Sequence, residues 1–193
     1  MRTKAVCLAV FVMVVSVAMY AGSIKGKVSG VSGPSAVWVE AIPGKTFPPP
    51  AKSAVMDQKG LTFQPHILVA QVGTTVEFLN SDNVAHNVFW PSISGNKKLG
   101  HNMGTWPKGE KKPFKFDQPG VAPMLCNVHP EMSGYIVVVP TPYFAETTPS
   151  GEFTIADIPN GSYTVTAWHE GAKNQSKPVS VSGEASVDFT LSK

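Results

Sequence analysis

The sequence predicts an all-β protein, on three observations. Gly and Pro number 17 each among 193 residues, while charged residues make up only 15%. Dense turn formers with little charge suit many short strands. No stretch beyond residue 23 keeps a helical period, whereas apolar–polar alternation recurs along most of it. With 42% hydrophobic residues the chain is globular rather than disordered, and its length allows one or two domains.

Residues 1–23 read as a secretory signal peptide. Arg2 and Lys4 precede an apolar run from Ala5 to Tyr20, and the small residues Ala21, Gly22 and Ser23 follow, with cleavage expected after Ala21 or Ser23. An uncleaved anchor is the alternative, since the run approaches the roughly 17 residues needed to span a bilayer. The leader places the protein in the periplasm or outside the cell, and no membrane span is expected in the mature chain. Without Arg2 and Lys4 the formal charge of +3 falls to +1, which is no footprint for nucleic acid. Cys7 leaves with the leader, so Cys126 becomes the only cysteine. A lone thiol in an oxidising compartment calls for a reason, and metal ligation is one.

The strand patterns follow in order. Ile24–Val28 and Ala36–Ala41 alternate around Gly30, Gly33 and Pro34, and Pro48–Pro50 reads as an extended linker. Ile67–Val72 and Thr75–Leu79 read as two strands around the Gly73-Thr74 turn, and His86–Trp90 continues extended. Residues 91–113, rich in Gly, Asn, Lys and Pro, read as a long surface loop; Phe114–Phe116 is a short strand. Pro123–Cys126 leads into a possible metal loop, and Tyr135–Val139 is a β-branched closing strand. Beyond it, turns at Pro149-Ser150-Gly151 and Pro159-Asn160-Gly161 separate four short strands, a small antiparallel unit.

The segment Cys126-Asn127-Val128-His129-Pro130-Glu131-Met132 places three potential ligands close together, and His86 lies upstream at a strand end. Two imidazoles, one thiolate and a weak thioether form the donor set of blue copper, serving soft Cu(I) and imidazole-accepting Cu(II) alike. Zinc favours a better fourth ligand than a thioether, and neither an iron–sulfur nor a haem motif is present. Singly, Cys126 reads as an inert buried thiol, His86 as a core histidine, and His129 with Met132 as one face of a helical turn. All four in this order between strand patterns favour the metal. A Cys–His nucleophile pair is the catalytic alternative, but nothing resembles an oxyanion site, so no enzyme activity is expected.

These residues carry a family resemblance. Asn80-x-Asp82-x-x-x-His86-Asn87-Val88 with Cys126-x2-His129-x2-Met132 resembles the cupredoxins, with loop spacing most similar to the amicyanin type; Phe63-x-Pro65 and Gly73-x-x-Val76 resemble that fold's first strands. The resemblance implies a Greek-key β-sandwich, one type 1 copper ion, and single-electron transfer between protein donor and acceptor. It implies His86, Cys126 and His129 as in-plane ligands and Met132 as the axial one. The carbonyl of Ala85 would approach the opposite axial side. The Asn87 N–H would donate to the Cys126 sulfur, and its side chain would tie the ligand loops together. Val128 stands where amicyanin has proline, so its N–H is available for a second bond to the thiolate. A copper carrier or chaperone delivering metal in the periplasm is the alternative function.

Outside the motif, His66 reads as an exposed strand end and His169 with Glu170 as a surface pair. His101-x-Met103 reads as surface loop, or as a weak Cu(I) entry point; Trp106 and Met103 suit either the metal end or the core. Lys97, Lys98, Lys108, Lys111, Lys112 and Lys115 make one segment basic, which suits either solvated charge or an acidic redox partner. The expected domains are 24–52 (strands and linker), 53–140 (copper domain) and 141–193 (small β-sandwich). A unit of about 50 residues is marginal alone. Gly26-x-Val28, Ser150-Gly151-x-Phe153 and Pro159-x-Gly161-x-Tyr163-x-Val165 resemble the transthyretin-like, carboxypeptidase-regulatory domains. That predicts a discontinuous sandwich, 24–45 joined to 144–193, with the copper domain inserted in one of its loops.

Overall fold

The computed structural model describes residues 21–193, so most of the expected leader, with Arg2, Lys4 and Cys7, lies outside the described residues. The strands in chain order are β1 (Ala21–Ser29), β2 (Ala36–Val39), β3 (Ala54–Gln58), β4 (Phe63–Gln64), β5 (Ile67–Gln71), β6 (Thr74–Asn80), β7 (His86–Trp90), β8 (His101–Trp106), β9 (Lys111–Phe116), β10 (Gly120–Leu125), β11 (Ser133–Val139), β12 (Phe144–Glu146), β13 (Glu152–Pro159), β14 (Gly161–Trp168), β15 (Gln175–Val181), β16 (Glu184–Ser186) and β17 (Phe189–Thr190), with a 3₁₀ turn at Lys97–Leu99. Among the described residues no helix is long and apolar enough to cross a membrane.

Two sandwiches result. In the first, the sheet β5-β11-β10-β7-β8 packs on β4-β3-β6-β9. Its core holds Met56, Phe78, Val88, Trp90, Phe116, Met124 and Ile136. In the second, β13-β1-β16, with β17 also on β1, faces β12-β2-β14-β15 around Ile24, Val37, Ile155, Val165 and Phe189. The two N-terminal strands belong here: β1 runs antiparallel to β13, and β2 lies between β12 and β14. Gly26 is required in β1, because a Cβ there would lie inside the Val187 carbonyl.

The sandwiches share a third apolar cluster, and it explains why some strands are apolar at every position. In β11, Ile136 and Val138 enter the first core, whereas Tyr135, Val137 and Val139 point the other way. In β2, Val37 and Val39 enter the second core, whereas Ala36 and Trp38 meet β11 and β5. A strand buried on both faces loses the alternation of a half-exposed one. At the rim of this seam Tyr135 packs on Trp168 (5.3 Å between centroids) and on His66 (5.7 Å), and His66 Nε2 lies 2.8 Å from Glu170 Oε1.

Burial, then the charge of Glu170 and a hydrogen bond to it, push the Tyr135 phenol above its usual 10.0. The folded state thus holds that proton past the pH at which the unfolded chain releases it. This contribution is complete below about pH 10 and is lost as the pH rises further. Tyr135→Phe should flatten the alkaline loss of stability, seen in melts between roughly pH 9 and 11; equal alkaline slopes for both proteins would refute it.

Several expectations are corrected. Residues 91–113 are not one long loop: they contain the 3₁₀ turn, all of β8, and the start of β9. The β7–β8 ladder has a register shift between Asn87 and Phe89, which hid the strand's period in the sequence. His169 is no surface pair: it is buried, with Nε2 3.0 Å from the Ser32 carbonyl and Nδ1 accepting from the Gly171 N–H, and Glu170 pairs with His66 instead. The C-terminal unit also has more strands than four, because it opens on β12 and its last stretch divides into β16 and β17.

Candidate metal centre

The centre is assembled where β10 ends and β7 and β11 begin. His86 opens β7, Cys126 follows β10 directly, and His129 and Met132 complete the loop into β11. Pairing of β10 with β11, from Gly120↔Val138 to Leu125↔Ser133, closes that loop at its base. Leu125 opposite Phe89 brings β7 alongside. One imidazole nitrogen from each of His86 and His129 and the Cys126 Sγ all lie within 4.8 Å of one another. The two Nδ1 atoms face each other at 2.9 Å. Two nitrogens that each approach a metal at about 2.0 Å can be at most about 4 Å apart, so this spacing fits one shared ion.

Burial is unequal around the cluster. His86 is 0% exposed, Cys126 3% and Met132 1%, whereas His129 is only half-buried. Met132 belongs to the core cluster beside Cys126, and its N–H donates to the His129 carbonyl at 3.0 Å, which curls the loop back on itself. Ala85 ends the exposed loop directly before His86.

Asn87 joins the two ligand segments. Its N–H donates to Cys126 Sγ at 3.4 Å, and its side-chain oxygen accepts from the Asn127 N–H at 3.2 Å. Its Nδ2 donates to Asn102 Oδ1 and the Gly104 carbonyl, both at 2.9 Å, which anchors it to β8. Asn80 shapes the loop before His86, donating through Nδ2 to the carbonyls of Val84 (2.9 Å) and Trp106 (3.0 Å).

A partner of His86 was not read from the sequence. Asp82 Oδ2 lies 3.0 Å from His86 Nε2. The Leu61 N–H holds the Asp82 carboxyl below its usual range, helped by the Gly60 N–H and His86, against burial that pushes it up. Asp82 was visible only as a position of the motif. Its carboxylate works through residues on another loop, which no spacing reveals.

The remaining histidines and lysines lie apart from the cluster. The His101 ring, on β8 rather than in a loop, packs on Phe114 (4.8 Å) and Trp90 (5.3 Å). Trp106 is core, with the Lys112 ammonium 4.9 Å from its ring centre. The lysine segment is largely engaged: Lys111 with Glu77, Lys115 with Asp117, Lys108 with Asn83, and Lys112 with the Met103 carbonyl.

A β-sandwich with a His/Cys/His cluster on the loops at its strand ends defines a copper-binding cupredoxin domain. Residues 51–139 match the family of copper binding proteins of the plastocyanin/azurin type, and residues 141–188 match domain II of polysaccharide lyase family 4. Similar solved structures include a reduced Cu(I) form of an amicyanin variant, 24% identical, covering 45% of this chain and 81% of that one at a TM-score of 0.41. A second reduced amicyanin variant is 24% identical, covering 46% and 84% at a TM-score of 0.42. The chain thus carries a cupredoxin domain and an additional β-sandwich domain, and the His86, Cys126, His129 cluster fits one type 1 copper ion.

Proposed function

We propose that the protein is an exported blue-copper protein that carries single electrons between redox protein partners. His86, Cys126 and His129 would be its in-plane ligands, Met132 the axial one, and the Ala85 carbonyl would approach the opposite side. The observation that carries this reading is the convergence of two Nδ1 atoms and a buried sulfur that accepts the Asn87 N–H. A bound copper ion supplies a one-electron couple. The chain keeps its donors in place through β10–β11 pairing and the Asn87 bridges, so little has to move when the charge changes. The full burial of His86 counts against an open, exchangeable carrier site.

Half-buried His129 is the proposed port for electrons. Exposed Val128 lies in its loop, exposed Val84 lies two residues before His86, and exposed Leu61 donates its N–H to the carboxylate that touches His86. Apolar side chains there favour brief contact with a partner's redox site. Because the lysines are largely engaged, we place docking at this end rather than on the basic segment. Export is supported by the leader pattern of residues 1–23. Gly22 pairs with Ile158, so cleavage after Ala21 keeps a rung that cleavage after Ser23 removes. We also read residues 24–52 and 141–193 as one discontinuous domain around a copper domain at 53–140. The pairing of β1 with β13 and of β2 with β12 and β14 supports this.

The test is the visible spectrum of the purified Cu(II) protein: one copper per chain with an intense thiolate-to-copper band. Copper bound without that band would refute the reading. Met132→Leu should leave the fold intact and raise the reduction potential, because a donor that favours Cu(II) is lost and an apolar side chain replaces it. Each tenfold selective loss of Cu(II) affinity reads as about 59 mV. An unchanged voltammogram would show that Met132 is not the axial ligand.

A further inference from the structure

We propose that Asp82 is a positioning residue of the copper centre: its carboxylate fixes His86 as an Nδ1 donor and sets the balance between Cu(II) and Cu(I). This rests on the copper reading above. Asp82 lies in the loop between β6 and β7, with Oδ1 accepting the Gly60 N–H at 2.7 Å and Oδ2 the Leu61 N–H at 2.9 Å. Oδ2 also lies 3.0 Å from His86 Nε2.

The carboxylate has little freedom to turn away. Gly60 and Leu61 have φ values of 67° and 57°, and successive residues of this kind turn their N–H groups into one anion-binding concavity. Leucine is uncommon in that region, so the Leu61 conformation calls for a compensating contact, and the charged acceptor provides one. The Asp82 N–H is itself held by Asn80 Oδ1 at 3.0 Å.

The consequence for His86 is chemical. A carboxylate accepts only, so Nε2 must carry the ring proton, which leaves the Nδ1 lone pair free on the side facing His129. A negative partner also makes the imidazole a stronger donor, which favours Cu(II) over Cu(I). The same carboxylate joins the buried ligand to the loop that presents Leu61.

Asp82→Asn tests this, since asparagine retains an acceptor for the loop but brings no charge to His86. The thiolate band should persist while Cu(II) affinity falls about 10–100-fold, with Cu(I) affinity affected less, so the potential rises on the scale given for Met132. A blue variant with unchanged affinity and potential overturns the proposal even if its melting temperature falls, because Asp82 is then only a loop fastener. If the variant yields no holoprotein, nitrogen NMR on the wild-type Cu(I) form decides: a slowly exchanging proton on His86 Nε2 supports the assignment, and a proton on Nδ1 overturns it. A wild-type protein with no thiolate band overturns the copper reading and this proposal together; a blue wild type with an unmoved variant overturns this one alone.

Discussion

Cys126→Ser should erase the intense visible band completely and weaken copper binding beyond the roughly 10–100-fold typical of losing an outer partner. The band is a transfer of charge from sulfur to copper, and a serine oxygen has no comparable filled orbital to give. Cys126 is only 3% exposed, and its sulfur accepts the Asn87 N–H. Serine nearly preserves the volume and can still accept that bond, so the sandwich should melt close to the wild-type temperature. Copper titration followed by absorption and by a metal-sensitive dye separates colour from binding. A variant that stays blue would remove sulfur from the site and sink the assignment of the ligands around it.

The His86, Cys126, His129 cluster was legible because its members are rare residue types, two of them close in sequence on a loop that adjacent strands close. Its geometry needed no distant information beyond His86. What the sequence hid is distributed. Asp82 acts on His86 through a grip on Gly60 and Leu61, more than 20 residues upstream. Strand β8 was concealed by a shift in its ladder to β7, and its lysine-rich surroundings read as loop although Lys112 lies over the Trp106 ring. The His169 reading failed for a related reason. Its neighbour Glu170 suggested a surface pair, but its true partner is a carbonyl at Ser32, brought close only when β2 lies against β14. The pairing of β1 with β13 and of β2 with β12 and β14 fits the expectation that leftover strands cover a unit too small to stand alone. The seam between sandwiches was not predicted, although Tyr135–Val139 carried its mark in being apolar at every position.

Trp168→Ala should destabilise the protein by about 3–5 kcal/mol, the usual cost of deleting a large buried aromatic. For a chain of this length that is a fall in melting temperature of roughly 6–20 °C. Trp168 is 8% exposed and belongs to the seam rather than to either sandwich core, where its ring packs at a tilt against Tyr135 beside Ile67, Val137 and Val139. Removing it leaves a cavity facing both domains, while the core that holds Cys126 and Met132 keeps all its members. The variant should therefore stay blue with an unshifted band as its stability drops. The seam is crossed by chain in both directions, once before β3 and again after β11, so the sandwiches are coupled by connectivity as well as by contact. Weakening the contact should make calorimetry show two transitions where the wild type shows one, with the visible band lost in only one of them. Val137→Asp, which places a charge at a position 1% exposed, should do the same more severely. If neither substitution moves the transition at which colour is lost, the copper sandwich unfolds independently of its neighbour, and the seam contributes nothing to holding the metal loop.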